Sequence, residues 1–197
     1  METLQKYREE ILHYLMTFMG GFMGLYAICA HGSYGSAQTG NLMDLLIDVS
    51  DGNGFSAAAR IGAFLIFSSG IAAAWLLHEF CTLPMRELCI VVDAAALMLS
   101  ARLPEEVFAF FRVYPLFATS FQWGSFNHVG QYPSATLFLT ENLKNCVTRW
   151  LRYFFYRDVQ DLTGARIYTL TIANYLLGGS LGCAAVNIHG AAGVCWA

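Results

Sequence analysis

The chain has 197 residues, 56% of them apolar and 13% charged, whereas about a quarter of the residues in a soluble domain are charged. It therefore lacks the surface chemistry of a soluble enzyme. A net charge of −3, with no basic stripe bearing interleaved aromatics, argues against a nucleic-acid partner. The composition indicates an all-α fold: one polytopic helical membrane domain over residues 1–197.

The N-terminal segment sets Lys6 and Arg8 against Glu2, Glu9 and Glu10, unlike the positive n-region of a signal peptide. Ile11–Ala30 is an apolar stretch of 20 residues, which as a helix covers about 30 Å, the thickness of a bilayer core. It is read as the first span, retained in the mature protein. The sequence HGSYGSAQTGN, residues 31–41, is rich in Gly and Ser and interrupts it. Leu42–Asp48 then resumes an apolar pattern carrying Asp44 and Asp48. Ala57–Leu77 is the second span, with Arg60 near its start. Leu88–Ala101 is the third, and its 14 residues reach only about 21 Å. Arg86 and Arg102 are placed to snorkel at its ends, and a buried helix is the other reading of this run.

Val107–Val129 is the fourth span, with Arg112 and Pro115 in its first part. Gln131–Ser134 breaks the pattern, and Ala135–Trp150 resumes it as a mixed polar and apolar helix. Arg149–Asp161 is charged and aromatic, which suits a membrane surface. Ala165–Val186 is the fifth span. His189–Ala197 starts another apolar run, too short to cross a bilayer; the expectation is a truncated sixth span or a run that folds back at the interface.

With the N-terminus in the cytoplasm, the inner segments hold Lys6, Arg8, Arg86, Lys144, Arg149, Arg152 and Arg157. The outer connections hold Arg102, leaving aside Arg60, Arg112 and Arg166 at span edges. That is a positive-inside bias, so the expected location is the cell membrane, multi-pass. The outer segment 31–56 carries Asp44, Asp48 and Asp51 but no Lys or Arg.

Shifting the chain by 101 residues superposes Thr39-Gly40-Asn41-Leu42 on Thr140-Glu141-Asn142-Leu143, and Ser33 on Ser134. Each copy places a long apolar helix before a break and a short polar-apolar helix after it. The repeats cover about 11–103 and 107–197, with three spans each, so the second copy starts on the opposite side of the membrane. Inverted repeats with broken or re-entrant helices are an architecture of secondary transporters.

GFMGLYAICAHGSYGSAQTGNL, residues 21–42, and FQWGSFNHVGQYPSATLFLTENL, residues 121–143, resemble the YoaK-like family, also called DUF1275 or UPF0700. The resemblance runs over nearly the whole chain. It implies a multi-span bacterial inner-membrane protein with no established activity. Asp93 in LCIVVDAAALML also fits the family pattern. Two positions depart from it: Gly24 stands where the family often has an acid, and Glu141 stands where it often has Gly.

The expected function is passage of a small solute or ion through a midplane site at the two breaks. Its candidate residues are Gln38, Thr39, Gly40 and Asn41 in the first copy and Thr140, Glu141 and Asn142 in the second, with Asp93 from the third span. Freed backbone groups inside a bilayer persist only where protein or a cavity satisfies them. The amides and hydroxyls at the breaks serve either as ligands or as caps and interhelical glue. Asp93 lies about 9 Å into its span, so it faces a cavity, finds a partner, or is protonated. Arg60 is too distant in depth to be that partner, and His13 is closer. Glu141 either binds a cation or sits at the surface beside Lys144. His31 and His128, flanking the breaks, are read as structural.

A structural or accessory membrane protein is the alternative function. An intramembrane enzyme ranks below it, because no GxSxG, HExxH, Walker loop or GxGxxG stands in context. No catalytic residue, cofactor or metal is expected. Cys29, Cys81, Cys89, Cys146, Cys183 and Cys195 form no CxxC pair and are read as reduced, small hydrophobes, with a disulfide or metal framework the other reading. Gly20-Gly21 with Gly24, and Gly178-Gly179 with Gly182, predict close helix packing, including a homodimer face.

Overall fold

The computed structural model describes residues 2–31, 34, 36–100, 114–190 and 193. Seven helices and one two-stranded hairpin account for most of them: α1 Glu2–His31, α2 Gln38–Ser50, α3 Gly54–Phe80, α4 Met85–Ser100, α5 Tyr114–Ser125, β1 His128–Val129, β2 Tyr132–Pro133, α6 Leu139–Tyr156 and α7 Val159–His189. The all-α expectation holds, with the hairpin as its addition. Gly130, at φ +54, occupies the first loop position of that hairpin, where a two-residue II′ turn requires positive φ.

Local chemistry explains the helix ends. Asn53 accepts the Ser56 amide at the start of α3, and Asp158 accepts the Gln160 amide at the start of α7, each satisfying a donor with no intrahelical partner. Pro84 precedes α4 and its carbonyl accepts the Leu88 amide. Arg157, at φ 57, ends α6 in the left-handed conformation and allows the tight reversal into α7.

Three helices are long and apolar enough to cross a membrane: Tyr7–Ala30, Gly54–Phe80 and Val159–His189. Exposed side chains such as Leu65, Trp75 and Leu177 give α3 and α7 the surface of lipid-facing helices. At the expected third span α4 has 16 residues, about 24 Å, and the described part of the expected fourth is the 12 residues of α5, about 18 Å. The helix expected to continue to Val129 stops at Ser125, because Phe126 to Phe138 form the hairpin and an extended link. Residues 101–113, with Arg102 and Arg112, and nearly all of the run after His189 lie outside the described residues, and so does the expected sixth span.

Contacts fix the helix directions. Along α1 and α7, Gly178 meets Phe18 and Gly182 meets Phe22, so the two run parallel. Gly70 of α3 meets Phe117 and Ser120, and Ala74 meets Gly124, so α3 and α5 also run parallel. Cys89 packs with Met16, and Leu97 packs on Phe22, Met23 and Tyr26, so α4 follows the direction of α1. Arg86–Glu9 at 3.5 Å and Arg8–Glu87 at 3.9 Å tie the starts of α1 and α4 together.

The glycine stripes read as packing faces are spent on each other. A Cβ on Gly21 would meet the Tyr175 carbonyl, and one on Gly178 the Phe18 carbonyl. Among the described helices α1 and α7 share the most extensive contact, within one chain. Near the far end of that pair, the Cys29 and Cys183 sulfurs lie 2.9 Å apart as free thiols. A copper–phenanthroline oxidant should join these two, with their hydrogens passing to the oxidant. Alkylation counting should then find two thiols fewer than before oxidation, and Cys29→Ser should abolish the loss. Full recovery of thiols would mean that the two helix ends do not meet.

Candidate functional site

His13, Thr17, Gly20 and Gly24 lie on one face of α1, at the spacing that stacks residues along a helix. Both breaks reach this face. Thr136, in the link after the hairpin, brings its carbonyl 2.5 Å from where a Gly20 Cβ would be, and Ser36, before α2, brings its hydroxyl 3.9 Å from the corresponding Gly24 position. Gly20 and Gly24 are one turn apart, about 6 Å. The two interruptions therefore converge on adjacent turns of a single helix; glycine at position 20 lets the second come close, while at Gly24 the nearest group is the Tyr175 hydroxyl of α7 at 3.1 Å.

A buried polar chain fills the seam at the second break. His13 Nε2 lies 3.1 Å from Ser134 Oγ, and Ser134 Oγ donates to Asn142 Oδ1 at 3.2 Å. Asn142 Nδ2 donates to the carbonyls of Ala135 at 2.7 Å and Phe138 at 2.9 Å. Ala135 lies in the link before α6 and Phe138 is the residue that caps it, so the Asn142 side chain ties the link to the start of the helix. Gln122 of α5 donates from Nε2 to the Met16 carbonyl at 2.7 Å and to Thr136 Oγ1 at 3.0 Å. His13, Thr17, Gln122, Ser134, Thr136 and Asn142 are all buried.

Asp93 is buried as well. Its Oδ2 accepts from Cys89 at 3.7 Å, and Oδ1 has no hydrogen-bond partner among the described residues. Midway between Cys89, which packs with Met16, and Leu97, which packs on Phe22 to Tyr26, Asp93 stands level with the middle of α1. Arg60 is committed elsewhere, to Asp48 at 2.6 Å and Asp44 at 3.1 Å, so it does not pair with Asp93.

The candidate residues divide by helical geometry. Asn41 and Asn142 are each the fourth residue of their helix and each is buried. Thr39, Thr140 and Glu141 are exposed, and Gln38 and Gly40 are half-buried, with Tyr34 lying over Gly40. Glu141 occupies the first turn of α6, where an acid complements the helix dipole. α2 packs chiefly on α3, while the hydrogen bonds of Asn142 stay within its own break. His128 is exposed and bonded to Asn127 at 2.6 Å. His13, Gln122 and Thr136 were not among the sequence candidates, although Gln122 is an isolated amide in an apolar run.

Two further features frame the site. Asp161, fully buried, receives Arg149 at 2.5 Å and Arg152 at 3.1 Å. Tyr132 donates to the Gln160 carbonyl and Tyr168 to that of Pro133, so the charged Arg149–Asp161 segment clamps the hairpin onto α6 and α7. A cavity of about 450 Å³ opens where α1 and α4 begin, lined by His78, Arg86, Ser125, Asn127 and His128 among others. Phe126, next to its Ser125 wall, packs on Cys89, one turn from Asp93. Among the described residues no three His, Cys, Asp or Glu side chains gather as a metal site.

Comparison with curated proteins and with solved structures found no match. The model of one family, described as "Protein of unknown function (DUF1275)", matches residues 12–197. With that match spanning nearly its full length, the chain belongs to the DUF1275 family.

Proposed function

We propose that this chain is a multi-pass membrane protein, N-terminus cytoplasmic, that passes a small solute or ion along the polar seam of α1. The carrying observation is that both breaks land on the Gly20–Gly24 face, beside buried polar side chains. Irregular backbone at membrane depth persists where protein buries it or where it lines a polar cavity, and in transporters broken helices form the binding site. Three further observations support the reading. α2 begins at Gln38 and α6 at Leu139, the same 101-residue offset as the sequence repeat. Phe126, just past the end of α5, lies under Arg86 at the start of α4, so α5 runs opposite to α4 and α1, as an inverted pair of halves requires. The cavity at the start of α4 is lined by Ser125, about one helical turn from Gln122 of the seam.

A structural or accessory role is the second reading. The observation favouring it is that every polar atom of Asn142 is bonded inside the protein, as interhelical glue would be. Flux separates the two. Purified protein in sealed liposomes should accelerate entry of at least one small polar solute or ion, measured by light scattering or an ion-sensitive dye. Gly24→Leu, which fills the space beside Ser36 and Tyr175, should abolish that flux. Wild-type vesicles as tight as protein-free ones, across solutes and ions, would sink the transport reading.

A further inference from the structure

The hydrogen-bond inventory of the seam names a chemistry for its cargo. Asn142 spends its Nδ2 hydrogens on the Ala135 and Phe138 carbonyls, so its Oδ1 accepts. Ser134 therefore donates its one hydroxyl hydrogen to that oxygen and can only accept from His13. The His13 hydrogen is thus on Nε2, and in a neutral imidazole Nδ1 is then a bare lone pair. Gln122 spends both Nε2 hydrogens on Met16 and Thr136, which leaves Oε1 as a bare acceptor. Asp93 has a free Oδ1.

His13 Nδ1, Gln122 Oε1 and Asp93 Oδ1 have no hydrogen-bond partner among the described residues, and their side chains are at least nine-tenths buried. The imidazole nitrogen and the amide oxygen are acceptors, and Asp93 Oδ1 becomes one when a cation beside it holds the carboxyl ionised. They fall within about two turns of α1, or about 10 Å: His13 itself, Gln122 at Met16, and Asp93 midway between the levels of Met16 and Tyr26. The Thr171 hydroxyl on α7, also without a hydrogen-bond partner among the described residues, can turn to donate or accept. A buried acceptor left unmade is costly, and a lone carboxylate at this depth favours a single positive charge beside it.

We infer that the seam takes an N–H-donating monocation, ammonium or a small primary ammonium group. The inference rests on the seam being the solute route and names the class of cargo. An alkali ion answers the charge and suits the Gln122 and Asp93 oxygens, but hard cations bind oxygen and leave the His13 Nδ1 lone pair unmet, whereas an N–H donor satisfies nitrogen and oxygen acceptors alike. A quaternary ammonium carries the charge and no hydrogen to donate. A primary ammonium offers three N–H donors, so one cargo satisfies neighbouring acceptors in turn as it moves along the layer.

The test is thermal unfolding of the purified full chain at matched ionic strength, in the chlorides of ammonium, methylammonium, sodium, potassium and tetramethylammonium. Ammonium and methylammonium should raise the midpoint with a saturating dose dependence, as a ligand of the native state does; the other three should not. Asp93→Asn, nearly isosteric, should weaken the apparent affinity about tenfold or more. Equal shifts in all five salts, or none in any, would overturn the inference, as would an unchanged shift in folded Asp93→Asn. The wild-type salt series decides the matter if that variant does not fold. Labelled-methylammonium flux into liposomes separates this inference from the transport reading. A selective shift without flux leaves the ligand class standing and removes transport. Flux of another solute with no ammonium shift leaves transport standing and removes the ligand class.

Discussion

Gly178→Leu should separate α1 from α7 and cost at least about 3 kcal/mol. A Cβ at this position already collides with the Phe18 carbonyl carbon, 2.7 Å away, and with its oxygen. These are backbone atoms, which no rotamer change can move. The helices must part, and parting them opens the reciprocal contacts of Gly21 with Tyr175 and of Gly182 with Phe22. Gly62→Leu on α3 is the matched control, because among the described residues nothing lies within 4 Å of its Cβ position. There leucine replaces a poor helix former, and the change should be neutral or stabilising by up to about 1 kcal/mol. Thermal unfolding in detergent, with size-exclusion profiles to report folding, reads both variants. A Gly178→Leu protein as stable as Gly62→Leu would mean that α1 and α7 do not pack as described.

The same glycines mark what the sequence makes legible. Their four-residue spacing announces a close approach, since only small residues let helix backbones touch. It carries no information on which helix approaches, so a face that serves another copy of the chain and one that serves α7 look alike. The long spans were legible because a twenty-residue apolar run has few other uses. The two-residue hairpin at Gly130 was not, because a short turn inside a Gly- and Pro-containing break leaves no periodic trace. Asp93 and Asn142 stood out as polar groups in apolar or repeated contexts. Thr140 and Glu141 shared the motif with Asn142, but successive helix residues point about 100° apart, so only one of the three faces the seam. Gln122 was absorbed into its apolar run, where one amide barely changes the average. The partner of Arg60 was hidden for a different reason. Asp44 and Asp48 lie one turn apart on α2 and join Arg60 only once α2 folds back on α3.

Asn142→Ala should destabilise the protein by about 3 kcal/mol, a fall of roughly 10 °C in midpoint for a chain of this size. Three hydrogen bonds are lost, at 2.7, 2.9 and 3.2 Å. The larger part of the cost comes from what remains. The Ala135 and Phe138 carbonyls lose the amide that donates to them, and Ser134 loses the acceptor that orients its hydroxyl. Thr140→Ala, two residues away and exposed, should stay within about 0.5 kcal/mol, so the comparison isolates the buried amide from the motif around it. The Asn142 effect also propagates. Once Ser134 is free to turn, it can donate to His13 instead of accepting from it, and the imidazole hydrogen is no longer held on Nε2. The variant should therefore lose ion selectivity in the salt series even at temperatures where it remains folded. A selectivity pattern unchanged from wild type in folded Asn142→Ala would mean that the orientation of His13 is set by packing alone, with the Asn142–Ser134 pair only closing the break.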